Sequence, residues 1–126
     1  MYELKVKSHF DAAHFIKGYP GKCARMHGHR WEVEVVLEGS ELGELNMLID
    51  FGVIKQAMKE IIDGNLDHWN LNKTLDEPCV TAEYIAKFFF EEIVRKMDEV
   101  VNEPASVRVV RTCIWESPDC GVVYYE

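Results

Sequence analysis

Basic residues are in short supply: 14 Lys and Arg stand against 22 Asp and Glu, a formal net charge of −8. That balance argues against general binding to nucleic acid or to an anionic membrane surface. It leaves room for a small anionic ligand, because a local cluster can oppose the global sign. Long apolar runs are missing as well. No stretch approaches the roughly 18 apolar residues of a membrane span, and residues 1–7 lack the apolar core of a secretory signal. There is no internal repeat, low-complexity tract or long linker. A cytoplasmic protein is therefore expected, folded as one domain over residues 1–126. Cysteine is too sparse, and the 48% apolar content too generous, to call for a disulfide scaffold. Cys23, Cys79, Cys113 and Cys120 are expected as reduced thiols, with Cys79 and Cys113 as small core residues and Cys120 in a turn.

What is present begins with alternation. Tyr2, Leu4, Val6, Ser8 and Phe10 share one parity and Glu3, Lys5 and Lys7 the other, which predicts a strand. If the alternation continues through Ala12, His14 joins the apolar face; a bulge would spoil it. Gly18, Pro20 and Gly21 mark residues 15–26 as a loop. A second strand is expected over about 27–38, with Trp31, Val33, Val35 and Leu37 on one face and His27 and His29 in the same parity. Asp50 can cap a helix over about 50–63, which Gly64 can end. Residues 65–80 read as irregular. Thr81 can cap a second helix to about 102, stopped by Pro104. Strands over about 106–116 and 121–126 close the chain. The expected fold is α+β: an antiparallel four-stranded sheet with two helices on one face, in the order ββααββ. Such a sheet leaves two open edges, which are expected to pair between subunits.

The chemistry concentrates in a few residues. A lone histidine is usually an ordinary polar residue. His27-Gly28-His29 is different, because strand residues two apart face the same way and two imidazoles can grip one ion. His14 from a neighbouring strand is the candidate third ligand. Three protein nitrogens leave tetrahedral zinc one open position, the mark of a catalytic site. Imidazole also suits other metals; zinc is preferred on availability and the lack of redox partners. Cys23 has two readings. It closes the site as a fourth ligand, or it stays a free thiol near the open position, where a dication and basic neighbours favour the thiolate and a role as base. Asp67-His68 can act as an acid–base pair, the carboxylate fixing the imidazole tautomer, although adjacent residues on an extended chain point apart. Glu116, at the end of an apolar strand, can accept two hydrogen bonds from an N–C–N edge such as a guanine or pterin ring presents. Trp31, Trp115 and Tyr124 are aromatic enough to stack on a ligand, but strand aromatics are usually core.

Together these residues resemble the 6-pyruvoyltetrahydropterin synthase / 6-carboxytetrahydropterin synthase family. The resemblance runs from Phe10-Asp11-Ala12-Ala13-His14 through Cys23-x3-His27-Gly28-His29, Leu48-Ile49-Asp50-Phe51, Leu66-Asp67-His68 and Leu71-Asn72, then Thr81-Ala82-Glu83, to Trp115-Glu116-Ser117 and Val123-Tyr124. It implies the tunnelling fold, with subunit sheets joined into a barrel in a trimer, two trimers stacked into a hexamer, and active sites at subunit interfaces. It implies His14, His27 and His29 as zinc ligands, Cys23 as the catalytic thiol, and Asp67 and His68 as its partner dyad. Glu116 would be the pterin anchor and Thr81 a second contact to the ring. The short gap between Cys23 and His27 is typical of the bacterial and archaeal 6-carboxytetrahydropterin synthases of queuosine and archaeosine biosynthesis. The implied substrate is 7,8-dihydroneopterin triphosphate, with Lys17, Lys22, Arg25 and Arg30 as candidate cations for its phosphates. One departure is Tyr84, where the family's Pro-Thr-x-Glu-Asn segment has Asn.

Overall fold

A computed structural model describes residues 1–101 and 107–126. Its elements are β1 (Tyr2–His14), β2 (His27–Gly39), α1 (Phe51–Asn65), α2 (Leu71–Thr74), α3 (Ala82–Val100), β3 (Val107–Ser117) and β4 (Cys120–Tyr124). The sheet is antiparallel throughout, in the order β1-β2-β3-β4. Alternation in β1 runs unbroken to its last residue, so Val6, Phe10, Ala12 and His14 are all buried. The β1–β2 register then sets Phe10 opposite Trp31, Ala12 opposite His29 and His14 opposite His27. No bulge intervenes, which is what carries His14 onto the covered face.

That face is covered by helices. α1 packs against β1, and α3 against β3, β4 and α1. Ile54, Met58, Ile61 and Ile62 from α1 and Ile85, Phe89, Ile93 and Met97 from α3 meet Phe10, Trp31, Val33, Val35, Leu37 and Ile114 in one core. Asp50 caps α1 through the Gly52 N–H at 2.7 Å, and Thr81 caps α3 through the Tyr84 N–H at 3.1 Å. Opposite the helices the sheet is charged, with Lys7 facing Glu34 and Arg111 bound to Glu3. Val36 is nonetheless fully buried there, paired between Lys5 and Arg111, whose long stems can cover it.

Several expectations change. Gly64 does not end α1, which runs through Asn65 to a cap at Leu66. Residues 65–80 are not wholly irregular, because Asn70 caps the one-turn α2 by accepting from the Asn72 N–H at 3.1 Å. Cys113 is buried as expected, whereas Cys79 is exposed: it sits in an isolated bridge to Ile16 on the surface loop before α3. Trp31 is core, but Trp115 is 40% exposed, its ring lying against Gly121, where a Cβ would come within 2.6 Å of it. The last strand is shorter than expected, ending at Tyr124. The stop at Pro104 and the strand start near 106 lie outside the described residues.

Candidate functional site

The covered end of β1 and β2 gathers the histidines. His14 is 1% exposed, and its ring lies 4.5 Å from that of His27 and 5.2 Å from that of His29, centroid to centroid. Trp31 stands edge-on to His14 and His29 and walls the cluster off from the core. The His14 Nδ1–H donates to the Val80 carbonyl at 2.6 Å, and the His27 Nδ1–H to the Arg25 carbonyl at 2.7 Å. In each neutral ring this leaves the Nε2 lone pair facing the cluster, the arrangement that a carbonyl acceptor on the far ring nitrogen imposes on metal-binding histidines. Burial pushes the His14 imidazole below the usual histidine range, which keeps that lone pair free.

Glu116 joins them. Its Oε1 lies 3.0 Å from His29 Nε2 and 3.3 Å from His14 Nε2. Even so, both nitrogens are buried without a hydrogen bond. Two orphaned nitrogens and a carboxylate converging on one point are poorly served by protein alone and well served by a cation. Among the described residues, His14, His27, His29 and Glu116 form a donor group whose four ligand atoms lie within 4.8 Å of one another. Three imidazole nitrogens and a carboxylate oxygen fit a borderline divalent ion such as zinc. Sequence reasoning placed Glu116 at the strand end and missed its place in this cluster. The signal was there: Glu116 shares parity with Thr112 and Ile114, both buried, and Thr112 binds the Ala86 carbonyl of α3.

Cys23 stands apart from that donor group. It sits half-buried in a single 3₁₀ turn, Lys22–Ala24, fastened by the Ile16 N–H to the Cys23 carbonyl at 2.8 Å. The same loop supplies the Arg25 carbonyl that orients His27, so thiol and cluster are coupled through a few residues of backbone. Thr81 follows Val80, the acceptor for His14; its hydroxyl oxygen accepts the Tyr84 N–H and keeps its own proton to donate.

Asp67 and His68 form their pair in a turn. His68 adopts a left-handed φ of 61°, rare for a non-glycine residue, and its Nδ1 lies 2.8 Å from Asp67 Oδ2. The turn is clamped onto the edge of β1. The His68 N–H donates to the Asp11 carbonyl at 2.6 Å, the Asp11 N–H to Asp67 Oδ1 at 2.9 Å, and the Ala13 N–H to the Trp69 carbonyl at 3.1 Å. The Asp11 N–H and the His68 side chain hold the Asp67 carboxyl below its usual range. The Asp67 carboxylate in turn raises the His68 imidazole above the usual histidine range. The dyad does not touch the histidine cluster, but His68 and His29 line one open depression with Trp69 and Arg30. Of the four candidate cations, Arg30 is engaged by a bidentate pair with Asp11, while Lys17, Lys22 and Arg25 have no acidic partner among the described residues.

Asn72 was also missed as a working residue. Its side-chain oxygen accepts the Phe15 N–H at 2.9 Å, and its amide donates to the carbonyls of Phe15, Glu77 and Pro78 at 2.8, 3.0 and 3.1 Å. It thereby ties the residue after His14 to the segment that delivers Val80.

The 6-pyruvoyl tetrahydropterin synthase family profile matches residues 3–126. The chain belongs to this family. A 6-carboxy-5,6,7,8-tetrahydropterin synthase of Rickettsia felis is 46% identical over 131 residues, covering 90% of this chain and 92% of the relative. The protein of that name from Bacillus subtilis is 32% identical over 130 residues, 98% of this chain and 84% of its own. The 6-pyruvoyl tetrahydropterin synthase of Caenorhabditis elegans superposes with a TM-score of 0.80 at 24% identity, over 99% of this chain and 95% of that one. The fold is thus the tunnelling fold, and the family is one of pterin-synthesising enzymes. Among the described residues no helix is long and apolar enough to cross a membrane.

Proposed function

We propose that this family member is a zinc-dependent 6-carboxy-5,6,7,8-tetrahydropterin synthase of the queuosine and archaeosine type, acting in the cytoplasm. It takes 7,8-dihydroneopterin triphosphate and one water to 6-carboxytetrahydropterin, acetaldehyde and triphosphate. One observation carries the reading: Cys23 lies outside the donor group, while three histidine nitrogens converge, those of His14 and His27 with their tautomers preset. A purely structural zinc site would recruit that thiol. The product assignment is supported by the names of the relatives at 32–46% identity.

His14, His27 and His29 hold the metal, which when bound supplies a Lewis acid for ionising a side-chain hydroxyl of the substrate. Cys23, as thiolate, removes a proton from the side-chain carbon. His68, oriented by Asp67, moves a proton on the opposite side. Two such groups flanking one bond relocate protons without a free carbanion, each contributing about 10²–10⁴-fold. Glu116 accepts two hydrogen bonds from the N–C–N edge of the pterin, and the Thr81 hydroxyl meets the ring. Lys17, Lys22 and Arg25, which have no acidic partner among the described residues, are candidate cations for the triphosphate. The His68 side chain is largely exposed at the sheet edge. A homo-oligomer whose edge strands pair between subunits, a hexamer of two trimers, would carry each dyad into a neighbour's site. The test is turnover of 7,8-dihydroneopterin triphosphate by zinc-loaded protein with products identified by mass spectrometry. 6-Carboxytetrahydropterin with acetaldehyde is expected. 6-Pyruvoyltetrahydropterin without acetaldehyde would reassign the reaction, and no turnover with zinc bound would leave a binding module.

A further inference from the structure

We infer that Glu116 is the fourth ligand of the metal in the resting protein, and that the substrate's side-chain hydroxyls displace it, freeing the same carboxylate to bind the pterin. The second half rests on the proposed pterin chemistry; the first does not.

The geometry points to ligation. The Nδ1–H of His14 donates to the Val80 carbonyl, so its Nε2 presents a lone pair to the cluster. A carboxylate oxygen 3.3 Å from such a lone pair is repelled unless something positive lies between them. No hydrogen bond joins Glu116 to either His14 Nε2 or His29 Nε2, so the short contacts leave both buried nitrogens unsatisfied by protein groups. The spacing has the right size for shared ligation. Donors about 2.0–2.1 Å from a tetrahedral zinc stand about 3.3–3.4 Å apart, and Glu116 Oε1 stands 3.0 and 3.3 Å from the two nitrogens. β3 delivers Glu116 in the parity of the buried Thr112 and Ile114, at an irregularity in its pairing with β4 between Trp115 and Ser117, so the carboxylate reaches the cluster from the strand beside β2.

This placement conflicts with a carboxylate that only waits for a pterin edge. A group within reach of the metal and also needed by the substrate must exchange between them. In the resting protein the site is then closed by three nitrogens and one oxygen, and it opens when hydroxyl oxygens of the substrate take the carboxylate's place. The exchange couples opening of the metal site to occupation of the pterin site.

Cobalt(II) in the full-length protein tests this. A water held by three histidines on a divalent ion loses a proton near pH 7, whereas a carboxylate ligand does not. The visible spectrum of the wild-type cobalt protein should therefore stay constant from pH 6 to 9. That of Glu116→Gln should titrate, and its cobalt dissociation constant should rise about tenfold. Adding 7,8-dihydroneopterin, which carries the hydroxyls without the triphosphate, should change the wild-type spectrum. Pterin lacking the side chain should not. A wild-type spectrum that titrates like that of Glu116→Gln overturns ligation, whatever the pterins do. Differing spectra with no response to 7,8-dihydroneopterin overturn the exchange, and turnover of the triphosphate substrate then decides separately whether the enzymatic reading stands.

Discussion

Replacing Asn72 by Ala removes a side chain that is 8% exposed and that ties three backbone segments together. The Phe15 N–H loses its acceptor, and the carbonyls of Phe15, Glu77 and Pro78 lose a shared amide donor. Two amide hydrogens serve three carbonyls, so the loss is better counted as three bonds than four. At about 0.5–1.5 kcal/mol each, and more where a group stays buried without a partner, the cost is about 2–4 kcal/mol. A domain of this size loses about 3–5 °C in Tm per kcal/mol, so melting should fall by about 6–20 °C. The assay is thermal unfolding of metal-free protein at fixed concentration, repeated with urea to show an unchanged slope. The segment released, residues 77–80, is the one that delivers the Val80 carbonyl to His14. Metal affinity of the variant should therefore fall even at temperatures where it is folded. A loss below 1 kcal/mol with unchanged metal affinity would refute the account of Asn72 as the brace behind the histidine cluster.

Other perturbations separate the proposed roles. Cys23→Ala should keep its full zinc content, measured by elemental analysis, and lose turnover by about 10²-fold or more, because the thiol lies outside the donor group. Loss of zinc would instead make Cys23 a ligand. Asp67→Asn removes the carboxylate that raises the His68 imidazole. The form of His68 that donates a proton then survives to a lower pH, so the alkaline limb of the pH–rate profile should move toward acid. A limb that stays put would detach His68 from the reaction. The same pairing affects stability in one direction: it acts in full below the unfolded histidine range and fades as pH rises through the raised value.

Most of the fold was legible because side-chain period is a strong signal. Alternation from Tyr2 to His14 was readable from parity, and so were the caps at Asp50 and Thr81. The convergence of His14, His27 and His29 followed from the same parity together with an antiparallel register. What stayed hidden depends on contacts between distant residues. Gly64 reads as a helix stop, but α1 continues because the next residues still reach carbonyls of the preceding turn, as the Leu66 N–H does with Ile62 at 3.1 Å. Cys79 reads as core, yet its place on the loop between α2 and α3 leaves it outside. The Asp67–His68 pair looked awkward on an extended chain, and only the clamp of Asp11 onto the turn makes a left-handed His68 tenable. Arg30 looked like a free cation until the fold set Asp11 directly across from it.

β1 serves two separate constructions. Its covered face carries His14 into the histidine cluster, and its outer edge, through the backbone of Asp11 and Ala13, holds the turn with Asp67 and His68. Strand parity links the two. One residue inserted between Phe10 and His14 would turn the imidazole to the opposite face and offer the turn the wrong amide groups. The length of this strand is therefore constrained twice over. Insertions accepted during divergence should collect in the exposed stretch 40–47, where neither construction is measured out.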